Sequence, residues 1–261
     1  MIELIDTHCH LTSKRLAGRA DALLAEARAA GVGACITIAG DVADARAAVD
    51  LARGREGLFC AAGVHPHEAK DAPPDYLAQL EEIIRAAGGR CVAVGEIGLD
   101  YHYDFSPRDR QRQVFQEQLE LAGRLALPVA VHSREALEDT LAMLAPHSGR
   151  LSGVIHSFTG DTGELRPFLD QGWHIGFAGI VTFRNSDLNR AAARLVPAER
   201  LLVETDAPYL SPEPVRKVFP NVPANVVHIA KLLAELRGVS LEVLAGHTTA
   251  NARRLFRLDQ R

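Results

Sequence analysis

Aromatic residues are scarce in this chain. They make up 5% of its 261 residues, with a single Trp, while apolar residues as a whole reach 47%. A core must therefore be built from aliphatic side chains, and Ala, Leu and Val dominate the apolar runs. Cysteine is sparse as well: Cys9, Cys35, Cys60 and Cys91 form no Cys-X-X-Cys, and each lies within or beside an apolar run. They read as reduced, mostly buried thiols of a cytoplasmic protein. No apolar run approaches the roughly 18 residues of a membrane span, so no membrane partner is expected. The first residues lack a charged segment followed by an apolar one, so no signal peptide is expected. Low-complexity tracts and sequence repeats are missing. The net charge of −4 gives no broad basic footprint of a nucleic-acid-coating protein. It leaves room for a nucleic-acid substrate held locally, because bound divalent cations supply positive charge. No Gly-X-Gly-X-X-Gly follows the first apolar run, which counts against an open dinucleotide-binding sheet.

What is present is alternation. Strands are expected over 2–10, 34–39, 58–63, 91–95, 128–132, 152–156, 173–177 and 201–204. Helices are expected over 19–30, 42–53, 73–87, 107–125, 134–145, 162–170, 222–237 and 240–256, with Ser240 as an N-cap of the last. Gly31 and Gly33 stop the first helix. Continuous apolar strands separated by helices imply a parallel sheet covered by helices. Eight such units in about 250 residues predict an α/β fold, a closed (β/α)8 TIM barrel, as one domain over 1–261. The alternative is an open doubly wound sheet.

The strand ends carry the chemistry. Residues 2–10, Ile-Glu-Leu-Ile-Asp-Thr-His-Cys-His, run into His8 and His10, which share one face of a strand, with Cys9 turned away. The fourth strand ends in Glu96, the fifth in His132, the sixth in His156 and the last in Asp206. A barrel gathers its strand ends at one mouth, so these six side chains meet there. Four histidines and two carboxylates exceed the needs of one metal and suit two divalent ions, with Glu96 as the candidate bridge. Two such ions activate a water and clamp a phosphate or carbonyl oxygen, and Asp206 is the candidate base. The nitrogen and oxygen donors suit Zn, Mn or Co and, less comfortably, Mg.

Taken together, the motifs resemble the TatD-type metal-dependent deoxyribonucleases among the amidohydrolase-like barrel enzymes, over nearly the whole chain. The carrying stretches are Asp-Thr-His-Cys-His-Leu at 6–11, Gly-Val-His-Pro-His at 63–67 and Val-Gly-Glu-Ile-Gly-Leu-Asp-Tyr-His at 94–102. They continue as Leu-Pro-Val-Ala-Val-His-Ser-Arg at 127–134, Gly-Val-Ile-His-Ser-Phe-Thr-Gly at 153–160, Glu-Thr-Asp-Ala-Pro-Tyr-Leu at 204–210 and Thr-Thr-Ala-Asn-Ala-Arg-Arg-Leu-Phe at 248–256. The resemblance implies two divalent metals, one held by His8, His10, Glu96 and Asp206, the other by Glu96, His132 and His156. It implies a hydrolase of DNA phosphodiester bonds acting from the 3′ end of single strands, with Glu96 and Asp206 catalytic. An alternative within the family is removal of D-amino acids from tRNA, or hydrolysis of another carbonyl bond. A protein that only binds, keeping a relic site, is a further alternative that the complete ligand set argues against. Relatives with a carboxylated lysine between the metals differ, since the fourth strand here offers Glu96. One stretch departs from the family: where many members have an Arg-Gly-Lys-Arg-Asn-Glu-Pro-like loop, residues 214–223 read Pro-Val-Arg-Lys-Val-Phe-Pro-Asn-Val-Pro, with Val222 before the proline.

His65 is a candidate for contacting the scissile phosphate or for orienting a metal ligand. Arg134 is a candidate for bidentate phosphate binding or for capping a helix. Tyr101 and His102 are weaker pocket-lining candidates, and Phe158 a possible stacking face for a base. His67, His147, His174, His228 and His247 read as surface or structural histidines. No obligate protein partner is predicted.

Overall fold

In a computed structural model, which describes residues 3–260, eight parallel strands run in the order β1-β2-β3-β4-β5-β6-β7-β8. They are β1 Leu4–Cys9, β2 Val32–Ile38, β3 Leu58–Ala62, β4 Cys91–Asp100, β5 Val129–Arg134, β6 Gly153–Ile155, β7 His174–Phe177 and β8 Leu201–Val203. Ile2, placed in the first strand by the sequence, lies outside the described residues. The helices are α1 Ala20–Ala29, α2 Val42–Ala52, α3 Tyr76–Ala86, α4 Arg108–Leu125, α5 Leu137–Leu144, α6 Thr162–Asp170, α7 Asp187–Leu195, α8 Val226–Arg237 and α9 Leu241–Phe256. The sheet closes between β8 and β1. Thr7 Oγ1 donates to the Val203 carbonyl at 3.1 Å, Asp206 N to the His8 carbonyl at 2.8 Å, and Cys9 bridges Ala207. This is the (β/α)8 TIM barrel that the alternation predicts.

Strand side chains divide between two apolar layers with a period of two, except in β1, whose pairing with β2 shifts register between Asp6 and Cys9. Ile5, Ile36, Phe59, Val92, Ala130, Val154 and Leu202 fill the barrel interior together with Leu255 and Phe256 of α9. Leu4, Cys9, Cys35, Leu58 and Cys60 face outward into the layer beneath the helices. Cys9 does turn away from its flanking histidines, and all four cysteines are buried and unpaired by disulfides. The side chains of Asp41, Asp161 and Ser240 cap α2, α6 and α9.

Two differences from the sequence reading have physical causes. No helix was expected between the seventh and eighth strands, yet α7 lies there. Its inward face is Asn189, Ala192 and Ala193, while Leu188 and Leu195 are exposed, so its buried stripe carries almost no apolar signal. The fourth strand was expected to stop at Gly95 and instead continues to Asp100. Gly98 permits this: it has φ +137°, and a Cβ there would lie 2.0 Å from the His132 carbonyl oxygen. No helix among the described residues is long and apolar enough to cross a membrane.

Candidate metal centre

Glu96 is the hub of the mouth. Its carboxylate is buried, and its two oxygens face different sets of histidines. Oε2 stands 3.3 Å from His8 Nε2 and 3.9 Å from His10 Nε2. Oε1 stands 2.9 Å from His132 Nδ1, 3.6 Å from His65 Nε2 and 3.8 Å from His156 Nε2. Asp206 Oδ1 lies 3.2 Å from His10 Nε2 and 3.8 Å from His156 Nε2. All six residues singled out from the strand ends are therefore brought together. Three donor groups result: His8 with Glu96 and His156, His8 with His10 and Asp206, and His65 with Glu96 and His132. His132 and His156 both approach Glu96, but in different groups.

Backbone geometry aims these side chains. Asp206 adopts φ +56°, a left-handed conformation that a non-glycine residue pays to hold. It is fixed by its own N–H on His8 and by the network beneath it. Asp6 Oδ1 accepts from Thr205 N at 2.8 Å and Oδ2 from Thr205 Oγ1 at 2.6 Å. Burial pushes the Asp6 carboxyl up to about 7 against those hydrogen bonds. Asn221, in the divergent 214–223 loop, donates to the Thr205 carbonyl at 3.0 Å and the Tyr209 carbonyl at 2.7 Å, so this loop holds the Asp206 segment from outside.

Hydrogen bonds also set which ring nitrogens are free. His10 Nδ1 faces the Ile38 carbonyl at 3.0 Å, an acceptor only, so Nδ1 carries a proton and Nε2 is the nitrogen turned toward Asp206. Glu204 Oε1 stands 2.9 Å from His156 Nδ1, a close charge contact outside hydrogen-bond geometry. His65 is the reverse: its Nδ1 accepts from His67 N at 3.1 Å, which leaves the proton on Nε2, a donor rather than a metal ligand. His132 is clamped between Glu96 and Asp100 Oδ2, the latter 3.0 Å from Nε2.

The electrostatics follow. Burial would raise Glu96, but the imidazoles of His65, His8 and His156 around it and the hydrogen bond from His132 outweigh it and hold the carboxyl well below its usual range. Asp206 is likewise lowered, burial being overcome by the hydrogen bond and charge of His10. His156 is pushed up to about 10, as Glu204 and Glu96 overcome burial. Burial lowers His8, helped by neighbouring His156, and lowers His65 to about 4.

The residues fit divalent cations. His8 is wholly buried, yet neither ring nitrogen has a hydrogen-bond partner. Such an orphaned imidazole costs stability unless something coordinates it. Nitrogen and carboxylate donors without thiolate are the set for borderline to hard divalent ions.

A scan of family models matches residues 5–257 to the TatD related DNase family. The chain belongs to this family. Among TatD relatives, it is 42% identical over 98% of its length to an uncharacterized metal-dependent hydrolase, YcfH, of Escherichia coli K12, covering 96% of that protein. It is 39% identical to a protein of Cronobacter sakazakii named 3′-5′ ssDNA/RNA exonuclease TatD, with 97% of each chain covered. The crystal structure of YJJV, a TatD homolog from Escherichia coli K12, superposes with a TM-score of 0.92 at 32% identity, covering 98% of both chains. The chain is thus a metal-dependent hydrolase of a nuclease family.

Several participants escaped the sequence reading. Asp100, Glu204 and Asp6 are buried partners of His132, His156 and the β1–β8 junction. His67, read as an ordinary histidine, stands at the mouth with Nε2 2.9 Å from Asp100 Oδ2. Its signal was available: His65-Pro66-His67 repeats the His-X-His spacing of β1. Asp100 lies four residues beyond Glu96, on the same face if the strand runs on. Phe158 is no stacking face, because it is buried edge-on against Phe168 and Phe177. Arg134 is exposed at the mouth with its guanidinium 4.7 Å over the Tyr103 ring. His102 is held by Glu135 at 2.6 Å and Tyr101 by Asp139 at 2.5 Å. His174 is buried at the first residue of β7, far along the strand from the mouth.

Proposed function

We propose that this single-domain chain (1–261) is a nuclease that removes nucleotides from the 3′ end of single-stranded DNA or RNA. The observation that carries the reading is Glu96, whose two oxygens each face a separate set of histidines. The naming of relatives such as the Cronobacter protein supports the substrate class. His8, His10, Glu96 and Asp206 would hold one divalent ion, and Glu96, His132 and His156 the other, His132 giving up one of its carboxylate contacts to do so. Bound there, such ions would supply Lewis-acid activation of water and positive charge opposite the phosphate oxygens.

The protein's own groups do the rest. Asp206 presents one oxygen to His10, and its partly exposed carboxylate takes the proton of the attacking water with the other. His65, with its proton on Nε2, donates to the scissile phosphate or the leaving oxygen. Arg134 meets a neighbouring phosphate. Four buried, reduced cysteines support a cytoplasmic setting.

The test is an assay of 5′-labelled single-stranded DNA and RNA with Mg, Mn, Zn or Co, beside duplex DNA and D-aminoacyl-tRNA. A ladder of 3′-shortened products that vanishes in Asp206→Ala is expected. Deacylation of the tRNA without any strand shortening would overturn the nuclease reading.

A further inference from the structure

All four exposed Tyr and Phe rings among the described residues stand at the metal mouth, in two pairs. On the β4–α4 loop, Tyr103 and Phe105 stack 5.3 Å apart at 25°. Phe105 also meets His67, 4.8 Å away, which shares Asp100 with His132. Across the mouth, Tyr209 lies 6.1 Å from His10, and Arg15 links it to Phe219, with its guanidinium 5.6 Å from the Tyr209 ring and 4.8 Å from the Phe219 ring. The first pair therefore borders the Oε1 side of Glu96 and the second the Oε2 side.

Phe105 is 55% exposed and Phe219 60% exposed, in a chain that otherwise keeps its aromatic rings covered. Arg134 leans on Tyr103 and Arg15 on Phe219, and neither has a carboxylate partner among the described residues. A guanidinium parked on an aromatic face keeps its N–H fork free for an anion. Each rim thus offers an apolar face for a flat ring beside an unpaired cation.

We infer that the two rims are nucleobase-stacking platforms. This rests on the nuclease reading and specifies how the strand is held. Phe105, backed by Tyr103, stacks a base on one side of the scissile phosphate, and Phe219, linked to Tyr209 through Arg15, stacks a base on the other. Arg134 and Arg15 neutralise the phosphates that join these nucleotides to the cleaved one. Bases in a duplex hide their faces in the stack, so two platforms astride the metal centre select unpaired strands. Because every base has a π face, they do so with little sequence preference.

The experiment is equilibrium binding of a phosphorothioate single strand, resistant to cleavage, with 2-aminopurine placed in turn at each of the 3′-terminal positions. The wild type quenches the probe at two positions that flank one unquenched linkage. Phe105→Ala and Phe219→Ala each abolish one of these quenches and weaken binding by about tenfold, as loss of one base–aromatic stack predicts. Phe105→Trp restores its quench, and strands with abasic sites at those positions bind wild type and variants alike. Unchanged quenching and affinity in both alanine variants, while the wild type still shortens single strands, would overturn the platforms and leave the nuclease reading standing. Failure of the wild type to bind or shorten any single strand overturns both.

Discussion

The two ends of the barrel bury very different things. At the mouth, six histidines lie among the carboxylates of Glu96, Asp206, Glu204 and Asp100, and Asp206 holds a left-handed backbone. At the other end, the interior is closed by aliphatic side chains and by Leu255 and Phe256 of α9. The one buried histidine there, His174, has the cations Arg200 and Arg254 as its charged neighbours. The same eight strands supply both ends, so the difference lies in which residues fall beyond the apolar part of each strand. The mouth spends polar burial on a binding centre, and the closed end supplies the stability that makes this tolerable.

Substitutions at each end sharpen the contrast. The largest effect belongs to Glu96→Ala, which removes the group shared by both sets of histidines. Strand shortening should fall by about a thousandfold or more, and metal bound per chain, read by elemental analysis, should drop. If bound metal stays unchanged, Glu96 is not the hub. Phe256→Ala at the closed end should cost about 3–5 kcal/mol in urea unfolding, because it opens a cavity in a fully buried layer. Metal per folded chain should stay as in the wild type, and a matching loss of metal would break the division between the ends. Glu204→Gln is smaller: the His156 ring loses the carboxylate charge beside its Nδ1, and metal affinity should fall by about 10- to 100-fold with the fold intact.

The smallest effect concerns pH at the closed end. Burial first, and the charges of Arg200 and Arg254 next, lower His174 from 6.5 to about 4. Above pH 6.5 the ring is neutral whether the chain is folded or not, so it contributes no pH dependence. As pH falls from 6.5 towards 4, the unfolded chain takes up the proton first and stability drops. The loss amounts to about 2 kcal/mol by pH 5. His174→Phe should remove that part of the acid sensitivity, measured as the difference in urea stability between pH 7 and pH 5. An unaltered difference would show that His174 does not report the low-dielectric end.

The candidate metal donors were legible in the sequence because each stands where an apolar run ends, and a parallel barrel converts that into one mouth. His8, His10, Glu96, His132, His156 and Asp206 needed no long-range information beyond the alternation itself. Asp100 was missed because the strand reads as ending at Gly95, whereas Gly98, its backbone packed closely on His132, lets the strand run on. α7 was missed because alanines and an asparagine form its buried face. His67 was set aside because a proline before it hides the His-X-His spacing. Arg134 and His65 were placed at the mouth, but only hydrogen-bond partners show that His65 is a donor and that Arg134 lies against Tyr103.

By itself, then, the sequence determined the barrel, its polarity and the meeting of six candidate donors at one mouth, since these follow from local periodicity and from the residue at each strand end. Tertiary structure alone decided which nitrogen of each histidine is free, which buried carboxylates orient them, and that Tyr103, Phe105, Tyr209 and Phe219 frame one mouth. Those properties depend on contacts between residues up to about two hundred positions apart, such as Asp6 with Thr205, and no periodic pattern in a chain encodes which distant side chain will face which.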